Sequence, residues 1–131
     1  MNALQRQSGG YVALLAVLIV GAAATAVAST LLLSGVDNQR AALVVQQSVQ
    51  AQGLATACAE EALQQMHDNS AFTGTNSLSL GQGSCSYTVA NTGGSNRTIT
   101  TSGTVGSVVR KAQIYVTITT SISITSWQEV G

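Results

Sequence analysis

The chain has 131 residues, room for one membrane segment and one small domain of about a hundred residues. Charged residues make up 8% of it and aromatics 4%, Pro is absent, and Ala, Val, Ser, Thr and Gln dominate, a composition unusual for a soluble enzyme. Five basic side chains balance five acidic ones, so there is no basic field to hold a nucleic acid.

Met1 to Gly10 (MNALQRQSGG) is a short polar leader whose only charge is Arg6. Tyr11 to Leu33 follows without a charge, with Thr25, Ser29 and Thr30 as its only polar residues. As a helix this run would be roughly 34 Å long, enough to cross a hydrocarbon core of about 30 Å. A positive charge ahead of an apolar run holds that end in the cytoplasm, so everything after Leu33 is expected outside it. Three readings of the run are open. Ala26-Val27-Ala28 before Ser29 fits a signal-peptide cleavage site, although the apolar pattern continues through Leu31, Leu32 and Leu33. An uncleaved single-pass anchor, holding an extracytoplasmic binding domain that forms no filaments, is the second.

The third rests on the junction itself. Gly9-Gly10, then Tyr11 and Val12-Ala13-Leu14-Leu15, resembles the class III signal of type IV pilins and pseudopilins. In that family a prepilin peptidase cuts after a Gly and methylates the new N-terminal residue, usually Phe. The resemblance therefore implies cleavage after Gly10 and N-methylation of Tyr11. Most members carry a Glu at the fifth position after the cut, which pairs with a neighbouring subunit's terminal amine; here that position is Leu15. Certain minor pilins and tip pseudopilins of type II secretion lack the acid too, so the minor subunits are the closer resemblance. It implies a filament subunit that contacts copies of itself or other pilins through Tyr11–Leu33, with the prepilin peptidase, the pilus assembly machinery and the membrane as its further partners. The precursor would sit in the inner (cytoplasmic) membrane, and the mature chain in a periplasmic or cell-surface filament.

The helical pattern does not end with the apolar run. Ser34 and Gly35 form the expected soft point or hinge, with Asp37 as a cap of a restarted helix or a solvated turn residue. Beyond them Ala51, Leu54, Ala55, Cys58, Ala62 and Met66 fall on one helical face, whereas Gln46, Gln50, Gly53, Glu60 and Gln64 fall on the other. One helix from Tyr11 to His67 is expected, hydrophobic all round at first and amphipathic later. In domain terms, 1–10 is the leader, 11–35 the membrane or filament-core half of the helix, and 36–131 the extracytoplasmic domain, with the amphipathic helix half over 36–68. Small residues at Gly21, Ala22, Ala23, Ala24, Ala26 and Ala28 would let helices approach closely, or are simply an Ala-rich span.

From Asp68 the composition turns to Ser, Thr, Gly and Asn. Residues 70–83 are expected as an irregular connection pinned to the core by Phe72, Leu78 and Leu80. Alternation then predicts strands over 84–91, 97–105 and 108–120, with 121–130 extending the third or forming a fourth. Short turns between them require an antiparallel meander over 84–130. The fold class expected is α+β, one long helix against a sheet of three or four strands. Cys58 lies on the helix stripe and Cys85 on the first strand, which favours a disulfide over two buried thiols. Trp127 is expected as a core plug of the last strand, ahead of an exposed contact residue.

No catalytic constellation is visible, so a structural role is expected, not an enzymatic one. Glu60 and Glu61 are adjacent and point apart on a helix. His67 is the only histidine and suits a helix C-terminus. There is no phosphate loop or metal-ligand spacing, and no cofactor is implied. Asn96-Arg97-Thr98 matches a glycosylation acceptor without other support, and Arg110-Lys111 reads as a solvated strand edge ahead of a contact to an acidic surface or DNA.

Overall fold

The computed structural model describes the backbone from Asn2 and side chains from Gly9 to Gly131; the side chains of residues 1–8, with Arg6 of the leader, lie outside the described residues. A single helix, α1 (Asn2–Asp68), precedes five strands: β1 (Gly74–Leu80), β2 (Gly83–Gly93), β3 (Asn96–Val105), β4 (Val108–Ile118) and β5 (Ile122–Val130). By contact the chain divides into an N-terminal unit ending at Ala42 and a second unit, Leu43–Gly131.

In the N-terminal unit α1 runs through Ser34, Gly35 and Asp37 without a break. With no Pro in the chain, a mid-helix Gly costs only about 1 kcal/mol, which strong helix formers on either side offset. Asp37 is therefore an exposed residue inside the helix, neither the cap nor the turn residue expected.

In the second unit, the later turns of α1 pack on one face of an open antiparallel sheet of order β1-β2-β3-β4-β5. The stripe read from sequence is the packed face: Ala51, Ala55, Cys58, Ala62 and Met66 are at most 3% exposed. Gln46, Gln50, Gly53, Glu60 and Gln64 all face solvent. From the sheet, Cys85, Tyr87 and Val89 of β2, Ile99 of β3, and Ile114 and Val116 of β4 complete the core. The helix lies unusually close at Gly103 of β3, where a Cβ would run into the carbonyl of Ala51 and the amide of Ala55. Alanines on the helix and a glycine on the sheet thus let backbone meet backbone.

The first three connections are two-residue hairpin loops, Gly81-Gln82, Gly94-Ser95 and Gly106-Ser107. Each opens with a glycine at φ between 54° and 60°, and no other residue type has positive φ among the described residues. That is the type II′ arrangement, whose twist matches the flanking strands.

The α+β class and the meander agree with the sequence reading; the strand count does not. Residues 74–80 are not irregular but pair with β2 along their length, from Gly74 opposite Val89 to Leu80 opposite Gly83. Their Ser and Asn content hides a strand that needs only one apolar contact, made by Leu78, while Phe72 packs just before it. Leu80 is 46% exposed and does not pin the core. The segment 122–130 is a separate fifth strand. Trp127, expected in the core, is 43% exposed, because β5 is an edge strand whose inner face extends past the cover of α1. Arg110 and Lys111 lie on β4, an interior strand rather than an edge; Arg110 pairs with Glu129 of β5.

Candidate functional site

Three features carry functional weight, and the first is the apolar run. Among the described residues one helix is long and apolar enough to cross a membrane, with a mean hydropathy of 2.4 over its most apolar window and none of that window buried. Leu14, Val17, Leu18, Ile19 and Val20 are all more than 60% exposed, as are Leu31, Leu32 and Leu33. Apolar side chains thus face outward around the whole circumference, an arrangement compatible with membrane anchoring. The three hydroxyls do not spoil it. Thr25 Oγ1 donates to the Ala22 carbonyl at 2.9 Å, Ser29 Oγ to the Thr25 carbonyl at 2.8 Å and Thr30 Oγ1 to the Val27 carbonyl at 2.8 Å. Each donor is satisfied within its own helix, so none presents an unpaired proton to an apolar surround.

Gly10 and Tyr11, the expected cleavage pair, are exposed and helical, with Tyr11 66% accessible. Cutting an α-helical bond requires local unwinding, and two consecutive glycines make that cheapest at this junction. Leu15, the fifth residue after that junction, lies on the exposed helix surface. Ser34 and Gly35 are exposed within the same helix, and nothing lies within 4 Å of a Cβ placed on Gly35.

The second feature is the tie between helix and sheet. Cys58 and Cys85 form a disulfide with a Cα–Cα separation of 6.0 Å, closing a loop of 27 residues at the centre of the core. Closure of a loop this long contributes about 3.5 kcal/mol in the chain-entropy estimate.

The third was missed by sequence reasoning. A groove of about 480 Å³ opens across the ends of β2–β5, lined mostly by residues on the face of the sheet away from α1, with Arg97 and Val116 from the core-facing row at its edge. Thr92, Asn96, Tyr115, Thr117, Ser126 and Gln128 line it, together with Arg97. Its shape follows from a β-bulge: Tyr115 pairs with Ser126 but Val116 with Ile124, so Thr125 is an extra residue that bends β5. The detectable signal was the alternation in Ile114-Tyr115-Val116, which puts Tyr115 opposite the core face. Arg97 Nη1 donates to the carbonyls of Gly94 (2.8 Å) and Asn96 (3.0 Å). Thr98, the cross-strand neighbour of Tyr115, is only 8% exposed although it points to the outer face. The hydroxyl of the Asn96-Arg97-Thr98 pattern is thus covered, while Asn96 is exposed and accepts a hydrogen bond from Thr117 at 3.1 Å.

Elsewhere, Glu61 accepts from Gln65 at 3.1 Å while Glu60 is exposed, so the two carboxylates do not face one another. His67 lies in the last turn of α1 beside Asp68, 3.6 Å away. No three His, Cys, Asp or Glu side chains gather as a metal site among the described residues. No family model, curated protein or solved structure matches this chain.

Proposed function

We propose that this chain is a structural subunit, of the minor kind, of a filament like a type IV pilus or pseudopilus. A prepilin peptidase removes residues 1–10 after Gly10 and methylates Tyr11. The apolar half of α1 holds the precursor in the inner membrane and then packs with the same segment of neighbouring subunits, while the helix-on-sheet unit stands outside the cytoplasm. The observation that carries this reading is the uncharged helix surface of Tyr11–Leu33, exposed around its whole circumference and set directly behind the Gly10–Tyr11 junction. A surface of that kind needs lipid or other helices against it, and Gly21 with the alanines from Ala22 to Ala28 suits close helix contact. The Cys58–Cys85 disulfide supports an oxidising location for the second unit. The role is structural, and no enzymatic step or cofactor is assigned.

Leu15 favours one rival, a single-pass anchor that presents a binding domain and never polymerises. The N-terminus of the native protein separates the two. Mass spectrometry of membrane and sheared-surface fractions should find a chain beginning at Tyr11, with the added mass of a methyl group. A chain beginning at Met1 would make the segment an ordinary anchor. One beginning at Ser29 would make it a discarded signal peptide.

A further inference from the structure

We propose that the groove around Tyr115 binds a neutral carbohydrate chain. The inference stands whether or not the chain polymerises, because it rests only on the second unit.

Its chemistry is selective. Tyr115 is 40% exposed, an aromatic residue whose outer-face neighbours Asn96, Thr117, Ser126 and Gln128 bear hydroxyls and amides. The negative face of such a ring attracts the polarised C–H groups that line one side of a pyranose. Around it, Asn96, Ser126 and Gln128 offer uncharged donors and acceptors of the kind that pair with sugar hydroxyls. The Asn96 carbonyl is already taken by Thr117, which fixes the amide plane and leaves the NH2 to donate. Arg97 is the one charged lining residue; its Nη1 is held by two backbone carbonyls, while its Nε has no partner. A phosphate- or carboxylate-rich ligand would find no free cluster of cations here.

The surroundings extend the site beyond one sugar. Thr75, Thr88, Thr100, Gln113 and Gln128 form one unbroken cross-strand row on this face. Strands lie about 4.8 Å apart, so the row presents a hydroxyl or amide at each such step, leading into the groove at Gln128. A linear polymer of neutral hexoses repeats its hydroxyls along a flat ribbon and can run along that row. The bulge at Thr125 lies beside the Tyr115–Ser126 pair, where it re-aims side chains at the mouth of the groove.

The test uses the full chain in phosphocholine micelles, whose headgroup carries no sugar. Depletion from solution by insoluble cellulose and by chitin is compared with depletion by alginate, an anionic polymer. Retention on cellulose or chitin and not on alginate is expected, and which of the two retains it identifies glucose or N-acetylglucosamine units. Tyr115→Ala should weaken retention by about tenfold, equivalent to about 1.4 kcal/mol. Tyr115→Phe, which keeps the ring, should stay near wild type. Gln128→Ala, a change on an exposed edge-strand residue, should weaken retention severalfold with an unchanged melting temperature, which covers the case in which Tyr115→Ala fails to fold. Retention by neither neutral polymer, retention by alginate alone, or wild-type retention by folded Tyr115→Ala or by Gln128→Ala would overturn the proposal.

Discussion

Two stretches of α1 use almost the same residues to opposite ends. Ala22–Ala28 and Ala51–Ala62 are both rich in alanine, yet the first is exposed and the second is buried to within a few per cent at every inward position. What separates them is the company of each alanine. Around Ala22–Ala28 there is no charge or amide: Val27 lies within, Val20 and Leu31 to Leu33 lie beyond, and the hydroxyls of Thr25, Ser29 and Thr30 bond within their own helix, so no face is preferred and no stripe exists to dock. Around Ala51–Ala62 the intervening positions are Gln, Glu, Gly and Thr, which leaves one dry face, and a sheet with Gly103 at its centre accepts it. Small residues permit close approach; polar residues between them decide how many sides are available for it.

The sharpest way to break the docked region is to remove the close approach. Gly103→Val places atoms where the Ala51 carbonyl already lies, and the helix must lift off the sheet. A loss of more than about 4 kcal/mol is expected, at the exceptional end for one substitution, read as a collapse of the thermal transition of the second unit. Next is the tie itself. Cys58→Ala with Cys85→Ala should cost about 3.5 kcal/mol, and reduction of the wild-type protein should lower its melting temperature by a similar margin. Both changes should leave the apolar run untouched. The converse experiment is Val20→Asp, where a carboxylate in the middle of the exposed apolar helix should cost about 3 kcal/mol of membrane insertion. Fractionation should show the variant shifted out of the membrane, and the purified variant, once oxidised, should keep the wild-type melting temperature of the second unit.

How far the sequence discloses this architecture differs by element, for physical reasons. The helix and its packed face were legible because burial on one side leaves a period near 3.6 in the residues, and the Cys58–Cys85 pairing followed from faces assigned in that way. The strands β2 to β4 were legible from alternation, because each puts side chains into a core on one side and water on the other. At the margins of the sheet the signal fails. β1 contributes Leu78 alone to the core, so its sequence is free to be Ser, Asn and Gly, and only its pairing with β2 reveals it. Trp127 was misjudged because size suggests burial, whereas its place on edge strand β5 leaves nothing over much of the ring. The groove at Tyr115 depends on a bulge and on the register of four strands, neither of which is written in any local pattern.

The smallest expected effect is a matter of sign. Had Asp37 begun a new helix after Ser34-Gly35, its carboxylate would accept from backbone amides freed by the break, and Asp37→Ala would cost about 1 kcal/mol. In the structure the residue is exposed within an unbroken α1, with helical residues on both sides. There an Asp side chain competes with the backbone for hydrogen bonds and is a poorer helix former than Ala by about 0.6 kcal/mol. Asp37→Ala should therefore stabilise this stretch slightly, seen as slower amide hydrogen exchange over residues 34–40 of the full chain in micelles. Faster exchange over the same residues would mean that the helix does restart at Asp37, and that the soft point read from Ser34-Gly35 is a true break between the membrane-facing stretch and the one that docks on the sheet.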